Sequence, residues 1–247
     1  MAQLATGGRA ALGKIVEQFY QTIQGQDEAE RDGTSASRKV SRGIMRALEQ
    51  GRLVPGQRLV ETSLAVEYGV GRNAVREAVQ WLAAHGVIDV TRHRSASIRR
   101  LDAAETQDVL EVAEAVLGLL LKAAARNFQP ARHGARLRAG LEDVAQAVPG
   151  VFARARRHFY AALLEISGSR ELHRLFPAIG LHVLLAQYRA VAAMPHGLDM
   201  FRAMAEAVAN NDVEHAQALG RAHISQLRQI ILQFTNHEPF HEKGNAP

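Results

Sequence analysis

The feature that most constrains the fold is an ordered series of short patterned segments within residues 38–100. Val40, Ile44 and Leu48 recur every four residues, which predicts a first helix of about three turns. This helix pattern ends at Gly51, and a proline-glycine turn follows it. A chain punctuated so closely predicts a small domain of short elements.

The remaining segments of this block predict two more helices and a hairpin. LAVEYG has helical character, and Gly71-Arg72-Asn73 opens a third helix after a tight turn. Beyond Gly86, VIDVT and SASIRR have strand character and are joined by Arg92-His93-Arg94. The order helix, helix, tight turn, helix, hairpin is that of a winged helix-turn-helix.

The positive charge of the chain is concentrated in the same block. Residues 38–100 hold twelve Lys and Arg against five Asp and Glu, a net charge of +7. Residues 1–37 have a net charge of −2, and residues 101–247 have a net charge of zero. A local positive excess favours a polyanionic partner, so we expect double-stranded DNA to bind this block.

The start of the third helix carries the candidate base-reading residues. Arg72 and Arg76 are one helical turn apart and project from the same face. An arginine fork can bond O6 and N7 of guanine together, and Asn73 can bond adenine or a phosphate. Gly71 leaves backbone N–H groups free to meet a phosphate.

An alternative interpretation remains open for these residues. Arg72 and Arg76 also fit a solvated surface, paired with Glu77 or Glu61. The other candidate DNA contacts, which also fit ordinary surface, are Arg58 on a phosphate, Thr62, and Arg92, His93 and Arg94 at the wing tip.

The segment GRLVPGQRLVETSLAVEYGVGRNAVREAVQWLAAHGVI resembles the winged helix of GntR-type transcription regulators. This resemblance implies that Arg72 and Arg76 read bases. Two positions depart from the family pattern: Gly71 replaces a Ser or Thr, and Ser95 stands where the wing usually has Gly. The matching residues are Pro55, Gly56, Leu59, Glu61, Leu64, Ala65, Val70, Arg72, Val75, Arg76, Glu77, Ala78, Val79, Leu82, Gly86, Val87 and Ile88.

The flanking segments complete a mainly α architecture. Residues 1–37 predict an arm with a short amphipathic helix and a polar linker, and residues 236–247 predict a tail. Residues 101–235 have helical periodicity throughout and predict an all-α bundle of about six helices. Its first helix follows Leu101-Asp102, and the others lie near 130–147, 151–167, 170–193, 197–210 and 212–235.

The helical domain resembles the ligand-binding (FCD) domain of FadR-type regulators, which implies a homodimer and a small-molecule effector. Such domains often bind a divalent metal through an Asp and three His. Alignment on the turn at Ser167–Ser169 places Arg156, Tyr160 and Phe201 at three of these positions, and only His223 matches. The comparison therefore implies that the family metal site is lost and that no cofactor is bound.

The substituted positions suggest a different ligand. A guanidinium at Arg156 can anchor an organic acid, with Tyr160 and His223 donating hydrogen bonds beside Phe201. The alternative is that Arg156 pairs with a carboxylate of the protein and that the cavity is apolar or closed.

Other functional classes find little support. His237-Glu238-Pro239-Phe240-His241 spells a zinc-protease motif, but Pro239 interrupts it and no later histidine follows. We find no nucleophile, acid pair or phosphate loop, so an enzyme is not expected. Cysteine is absent, and no secretory signal or long apolar run is present, which predicts a cytoplasmic protein without a membrane partner.

The sequence thus predicts a dimeric transcription regulator, more specifically a repressor, that reads an inverted-repeat operator and responds to an organic-acid effector. The alternative is a dimeric DNA-binding protein without an effector, whose helical domain serves only dimerisation.

Overall fold

A computed structural model describes residues 36–91, 95–148, 151–189 and 197–237. The predicted N-terminal helix, the wing-tip residues Arg92–Arg94 and most of the predicted tail lie outside these ranges. Within the described ranges, no helix is both long enough and apolar enough to cross a bilayer.

The first half is a helical unit closed by a small sheet. Its buried core combines α1 residues such as Ile44 with Val75 and Leu82 of α3 and Ile98 of the sheet. The strands are antiparallel in the order β1-β3-β2, and Ser97 of β3 lies between Arg58 and Asp89. The elements are α1 (Ala36–Glu49), β1 (Arg58–Leu59), α2 (Glu61–Tyr68), α3 (Arg72–Ala84), β2 (Ile88–Val90) and β3 (Ala96–Ile98).

This arrangement confirms the predicted mainly α fold with a winged helix-turn-helix, and adds one strand to it. The sequence analysis missed β1, because two residues are too few to show an alternating pattern. β1 forms only because β3 offers its second edge, to which Arg58 and Leu59 pair.

The second half is all α, and its elements are α4 (Ala103–Asn127), α5 (Pro130–Ala145), α6 (Phe152–Ser167), α7 (Arg170–Ala178), α8 (Leu181–Gln187), α9 (Leu198–Ala209) and α10 (Val213–His237). The prediction of one helix over 170–193 was wrong. The chain breaks there because Gly180 adopts a left-handed conformation (φ 74°) shortly after Pro177, and α8 starts in a new direction. The described residues therefore contain seven helices in this half, one more than predicted.

Helix α4 is the axis of the second half. It begins with a capping box: the Asp102 side chain accepts a hydrogen bond from the Glu105 backbone N–H at 2.8 Å, and the Glu105 carboxylate accepts one from the Asp102 N–H at 3.0 Å. Leu110, Leu117 and Leu121 of α4 are fully buried in the core of the bundle.

Two sets of contacts join the halves. Ala186 of α8 packs against the core of the first half, and the neighbouring Gln187 holds the segment that connects the halves: its side chain donates to the Leu101 carbonyl at 2.9 Å and accepts from the Leu101 N–H at 3.0 Å. Arg157 of α6 forms an ion pair with Glu49 at the end of α1. These contacts, which we call the junction, tie the sheet-containing half to both α6 and α8.

Helices α4 and α10 pack closely at Gly220, which generates a stability prediction. A Cβ at this position would lie 2.8 Å from the Leu117 carbonyl oxygen and 2.6 Å from the Leu121 side chain. Gly220→Ala must therefore push the helices apart, and we expect the free energy of unfolding to fall by about 1–3 kcal/mol. Denaturant unfolding followed by circular dichroism measures this.

The matched control is Gly71→Ala, because nothing lies within 4 Å of a Cβ built at Gly71. Its stability should change by less than about 1 kcal/mol, since the lower entropy of the unfolded chain offsets the weaker N-cap that alanine makes. Equal stability of Gly220→Ala and the parent chain would contradict the close packing.

Candidate functional site

The turn between α2 and α3 presents the first residues of α3 to solvent. Gly69 ends α2 in a left-handed conformation (φ 61°) and donates its N–H to Ala65 and Val66 carbonyls. Gly71 then adopts an extended conformation as the N-cap of α3. Because α3 buries its other face, the exposed first turn can enter a groove of DNA.

The two predicted base-reading arginines differ in their surroundings. The Arg76 Nε donates to Glu61 Oε2 at 3.0 Å, although 52% of the Arg76 side chain is exposed. Arg72 is exposed, and among the described residues nothing pairs with it. The pairing with Glu61 thus holds for Arg76, whereas the exposed Arg72 fits both a solvated surface and a contact to a base edge, so its role in base reading stays a prediction.

The other candidate DNA contacts that the structure describes lie on the same unit. Asn73, Thr62 and Gly71 are exposed near the start of α2 or α3. Arg58 is exposed on β1, beside the strand that leads out of the wing. Their roles in binding stay predictions, as do those of the wing-tip residues.

The sequence analysis missed an arginine stripe on α1. Arg38, Arg42 and Arg46 follow one another at intervals of one turn. Burial lowers the pKa of Arg42, and the charges of Arg38 and Arg46 lower it further. Like charges held this close raise the positive potential of the unit, which strengthens its attraction for phosphates.

The predicted effector residues converge in the core of the helical half, although they come from three helices. The Tyr160 hydroxyl and His223 Nε2 are 3.0 Å apart and share a hydrogen bond. The Phe201 ring packs edge-on against the His223 ring, with centroids 5.3 Å apart. Arg156 lies one turn before Tyr160, with its guanidinium 5.6 Å from the centre of the Phe152 ring.

Burial dominates the electrostatics of this cluster. It raises the pKa of Tyr160 to about 12 and lowers the pKa of His223 to about 4, with the Arg156 charge contributing to the latter. Burial also lowers the pKa of Arg156, while Tyr160 and Glu49 act in the opposite direction. The neutral imidazole and phenol therefore lie beside a cation withdrawn from water, which an anion would stabilise.

This donor set does not fit the divalent metal of the family. A cationic side chain at Arg156 repels a metal ion, and the Phe201 ring has no lone pair to donate. Among the described residues, no group of three or more His, Asp or Glu side chains is placed to hold a metal ion.

Next to the cluster, α6 and α8 carry residues whose contacts the sequence analysis did not predict. Arg157 follows Arg156 directly, yet it reaches Glu49 in the other half. His182 of α8 lies near Arg157, Arg156 and His85; burial, and then these groups, lower its pKa to about 4. No local pattern reveals such contacts, because the partners are far apart in sequence.

Comparison with known proteins decides the family. The sequence model of the family described as "Bacterial regulatory proteins, gntR family" matches residues 36–98, and the sequence model of the FCD domain matches residues 108–226. Together they cover nearly all of the described chain. The chain belongs to the GntR family of bacterial regulatory proteins. Its second half is an FCD domain of the FadR type, as the sequence resemblance implied.

Relatives and solved structures agree with this GntR assignment. A protein of Paenarthrobacter nicotinovorans, described as a probable D-xylose utilization operon transcriptional repressor, is 25% identical over 198 residues, covering 78% of this chain and 87% of its own. E. coli McbR/YncC has the same fold, with a TM-score of 0.67 and 18% identity, over 83% of this chain and all of its own. A GntR-type structure from Rhodococcus sp. RHA1 has a TM-score of 0.64 and 24% identity, over 80% and 98%.

These findings confirm the predicted function at the level of the family. The chain is a GntR/FCD transcription regulator, in which a DNA-binding winged helix is joined to an effector-binding domain.

The half-buried imidazole of His223, whose pKa is lowered by burial, generates a pH prediction. The unfolded chain takes up a proton at His223 below about pH 6.5, whereas the folded chain does so only near pH 4. Stability is therefore full above pH 6.5 and is lost as the pH falls toward 4. His223→Gln, which keeps a hydrogen-bonding side chain for Tyr160, should reduce this loss in thermal unfolding between pH 7 and 4.

His215→Gln is the matched control on the same helix, because His215 is exposed. It should leave the pH dependence of the parent chain unchanged. An identical loss of stability in His223→Gln and the parent chain would show that His223 is not buried as a neutral base.

Proposed function

We propose that this regulator is a cytoplasmic repressor that binds an inverted-repeat operator as a homodimer and changes its operator affinity when an organic acid binds the FCD domain. The observation that carries the proposal is the exposed Arg72 at the start of α3, which pairs with no side chain among the described residues. It stands on a rigid unit that also bears the positive excess of the chain. In this proposal the protein acts on DNA and is not an enzyme.

For DNA, the geometry favours unequal roles for the two arginines. Arg72 lies exposed at the first position of α3, so its fork can take O6 and N7 of a guanine. The Glu61 carboxylate orients Arg76, which favours a fixed contact to a base or phosphate nearby. Asn73, Thr62 and Arg58 supply neighbouring hydrogen bonds.

For the effector, the cluster around Tyr160 favours a carboxylate. The cation of Arg156 binds the acid group, while Tyr160 and His223 exchange their mutual hydrogen bond for bonds to the ligand. Aromatic side chains, including Phe201 and Phe176, provide apolar walls. A cation thus takes the place that a metal has in other FCD domains, so the proposal includes no cofactor.

In this proposal, one turn of α6 couples effector binding in the FCD domain to the position of the winged helix. Arg156 serves the ligand, and the adjacent Arg157 holds Glu49 of the winged helix. An acid that draws Arg156 toward itself changes the balance of charge around Glu49, since both guanidiniums act on the same region. A coupling of about 1–3 kcal/mol between the two sites is enough for a switch.

The second candidate function, a dimeric DNA-binding protein without an effector, is favoured by one observation. The Tyr160–His223 hydrogen bond already satisfies both groups inside a packed aromatic cluster. A ligand must break that bond before it can occupy the site.

The DNA part of the proposal predicts a loss of operator affinity in Arg72→Ala. The operator is located by footprinting the DNA upstream of the gene, and affinity is measured by fluorescence anisotropy on that duplex. Loss of a bidentate guanine contact costs about 1–3 kcal/mol, so the dissociation constant should rise about 5- to 150-fold. Arg170→Ala, at an exposed arginine of α7, should bind like the parent chain. Operator binding by Arg72→Ala at parental affinity would refute the assigned role.

The effector part predicts thermal stabilisation by a subset of carboxylic acids. A ligand at 100 times its dissociation constant stabilises the fold by about 2.7 kcal/mol, so a screen of acids should raise the unfolding temperature. Arg156→Ala should abolish this rise, and the control Arg154→Ala, exposed on the same helix, should keep it. Arg157→Gln should keep the rise but reduce the effect of the acid on operator binding. Equal stabilisation of the parent and Arg156→Ala excludes the anchor, and no stabilisation by any acid favours the second candidate function.

A further inference from the structure

One face of α4 remains uncovered along most of the helix. Val112 and Leu119 lie on this face and are 45% and 49% exposed, which is high for large apolar side chains. Ala115 lies between them and is also exposed. Helix α10 packs on the adjacent side of α4, where Arg228 and Arg221 reach Glu114, and its Glu214 pairs with Lys122 at 3.8 Å. Among the described residues, the apolar centre of the face at Val112, Ala115 and Leu119 therefore stays open to solvent.

The residues of this face follow a heptad spacing with a charge at each end. The face consists of Asp108, Val112, Ala115, Leu119, Lys122 and Arg126, separated by alternating steps of four and three residues. Such a seam lies on one side of a helix and is the pattern by which two helices pair along their length. It spans about 27 Å at 1.5 Å per residue. Its acidic end is the N-terminal one and its basic end is the C-terminal one.

This charge order is self-complementary only in one orientation. When two copies of the seam run antiparallel about a two-fold axis, Asp108 of each copy meets Arg126 of the other. Ala115 then meets Leu119, so a small side chain faces a large one, and the stem of Lys122 covers Val112. A parallel pair would place Asp108 against Asp108 and Arg126 against Arg126, which is repulsive. A two-fold axis makes every contact occur twice, as a closed dimer requires.

We infer that the Asp108–Arg126 face of α4 is the surface through which two copies of this chain pair, with the helices antiparallel. The inference rests on the homodimer in the proposed function and adds to it the surface, the orientation and the charge pairs. The partner is a second copy because the face is complementary to itself in shape, polarity and charge.

A charge-swap experiment on the full chain tests the pairing. Sedimentation equilibrium gives the dimer dissociation constant of the parent chain, of Asp108→Arg, of Arg126→Asp and of an equimolar mixture of the two variants. Each variant alone places like charges at both ends of the seam and should raise the constant about tenfold or more. The mixture re-creates opposite charges at both ends, so its heterodimer should form within about threefold of the parental constant. Glu206→Arg and Arg170→Asp, at exposed positions on other helices, are the matched controls.

A third variant, Leu119→Glu, tests the centre of the seam. It should raise the dissociation constant further than either charge variant, because two carboxylates would enter the apolar contact about the axis. Unchanged circular dichroism confirms that each variant is folded, and rescue in the mixture cannot arise from misfolded chains.

The outcomes separate this inference from the proposed function. A parent chain that is monomeric up to high micromolar concentration overturns both the surface and the dimer. A stable dimer that all three variants leave unchanged overturns the surface alone. Weakening by the single variants without rescue in the mixture overturns the charge pairs of the seam. Single charge variants that dimerise like the parent chain, with a mixture that dimerises more tightly than the parent, overturn the antiparallel orientation, because a parallel parent would already place like charges together.

Discussion

The arrangement of the molecule depends on the ion pair between Arg157 and Glu49. It is mostly withdrawn from solvent, since only 13% and 21% of the two side chains are exposed. Removing one partner from such a pair leaves an uncompensated buried charge, so the pair holds the end of α1 firmly against α6. Ala186 of α8, which packs against the core of the winged helix, provides a second attachment. The winged helix therefore has a defined orientation on the FCD domain.

Charge is distributed according to the environment of each half. In the winged helix the candidate DNA-binding arginines Arg58, Arg72 and Arg76 are exposed to water, which phosphates can replace when DNA binds. In the FCD domain Arg156 is drawn into an aromatic cluster, where burial makes its charge costly. The first environment suits a large polyanion, and the second suits a single small anion. Arg156 of the cluster and Arg157 of the junction are adjacent on α6, which places the proposed effector site directly beside the junction.

Local patterns in the sequence predict the elements but not the contacts between distant residues. The periodicity of Val40, Ile44 and Leu48 and the glycines of the turns are enough to predict the winged helix. The motif similarly places Arg72 at the start of its helix, because that position depends on neighbouring residues alone. The pair between Arg157 and Glu49 lies beyond such reasoning, since 108 residues separate the partners. Strand β1 was not predicted because it forms only on the edge of β3. The helix break at Gly180 was not predicted because the flanking sequence stays helical in pattern.

The central claim is that this protein binds duplex DNA in a sequence-specific manner. The most direct measurement selects, from a pool of random duplexes, those that bind the full chain, and then sequences the bound fraction. We predict two guanine-containing half-sites related by a two-fold axis, with centres about 10 base pairs, or a multiple of this, apart. Recovery of bound duplexes with the same sequence composition as the starting pool would contradict the account.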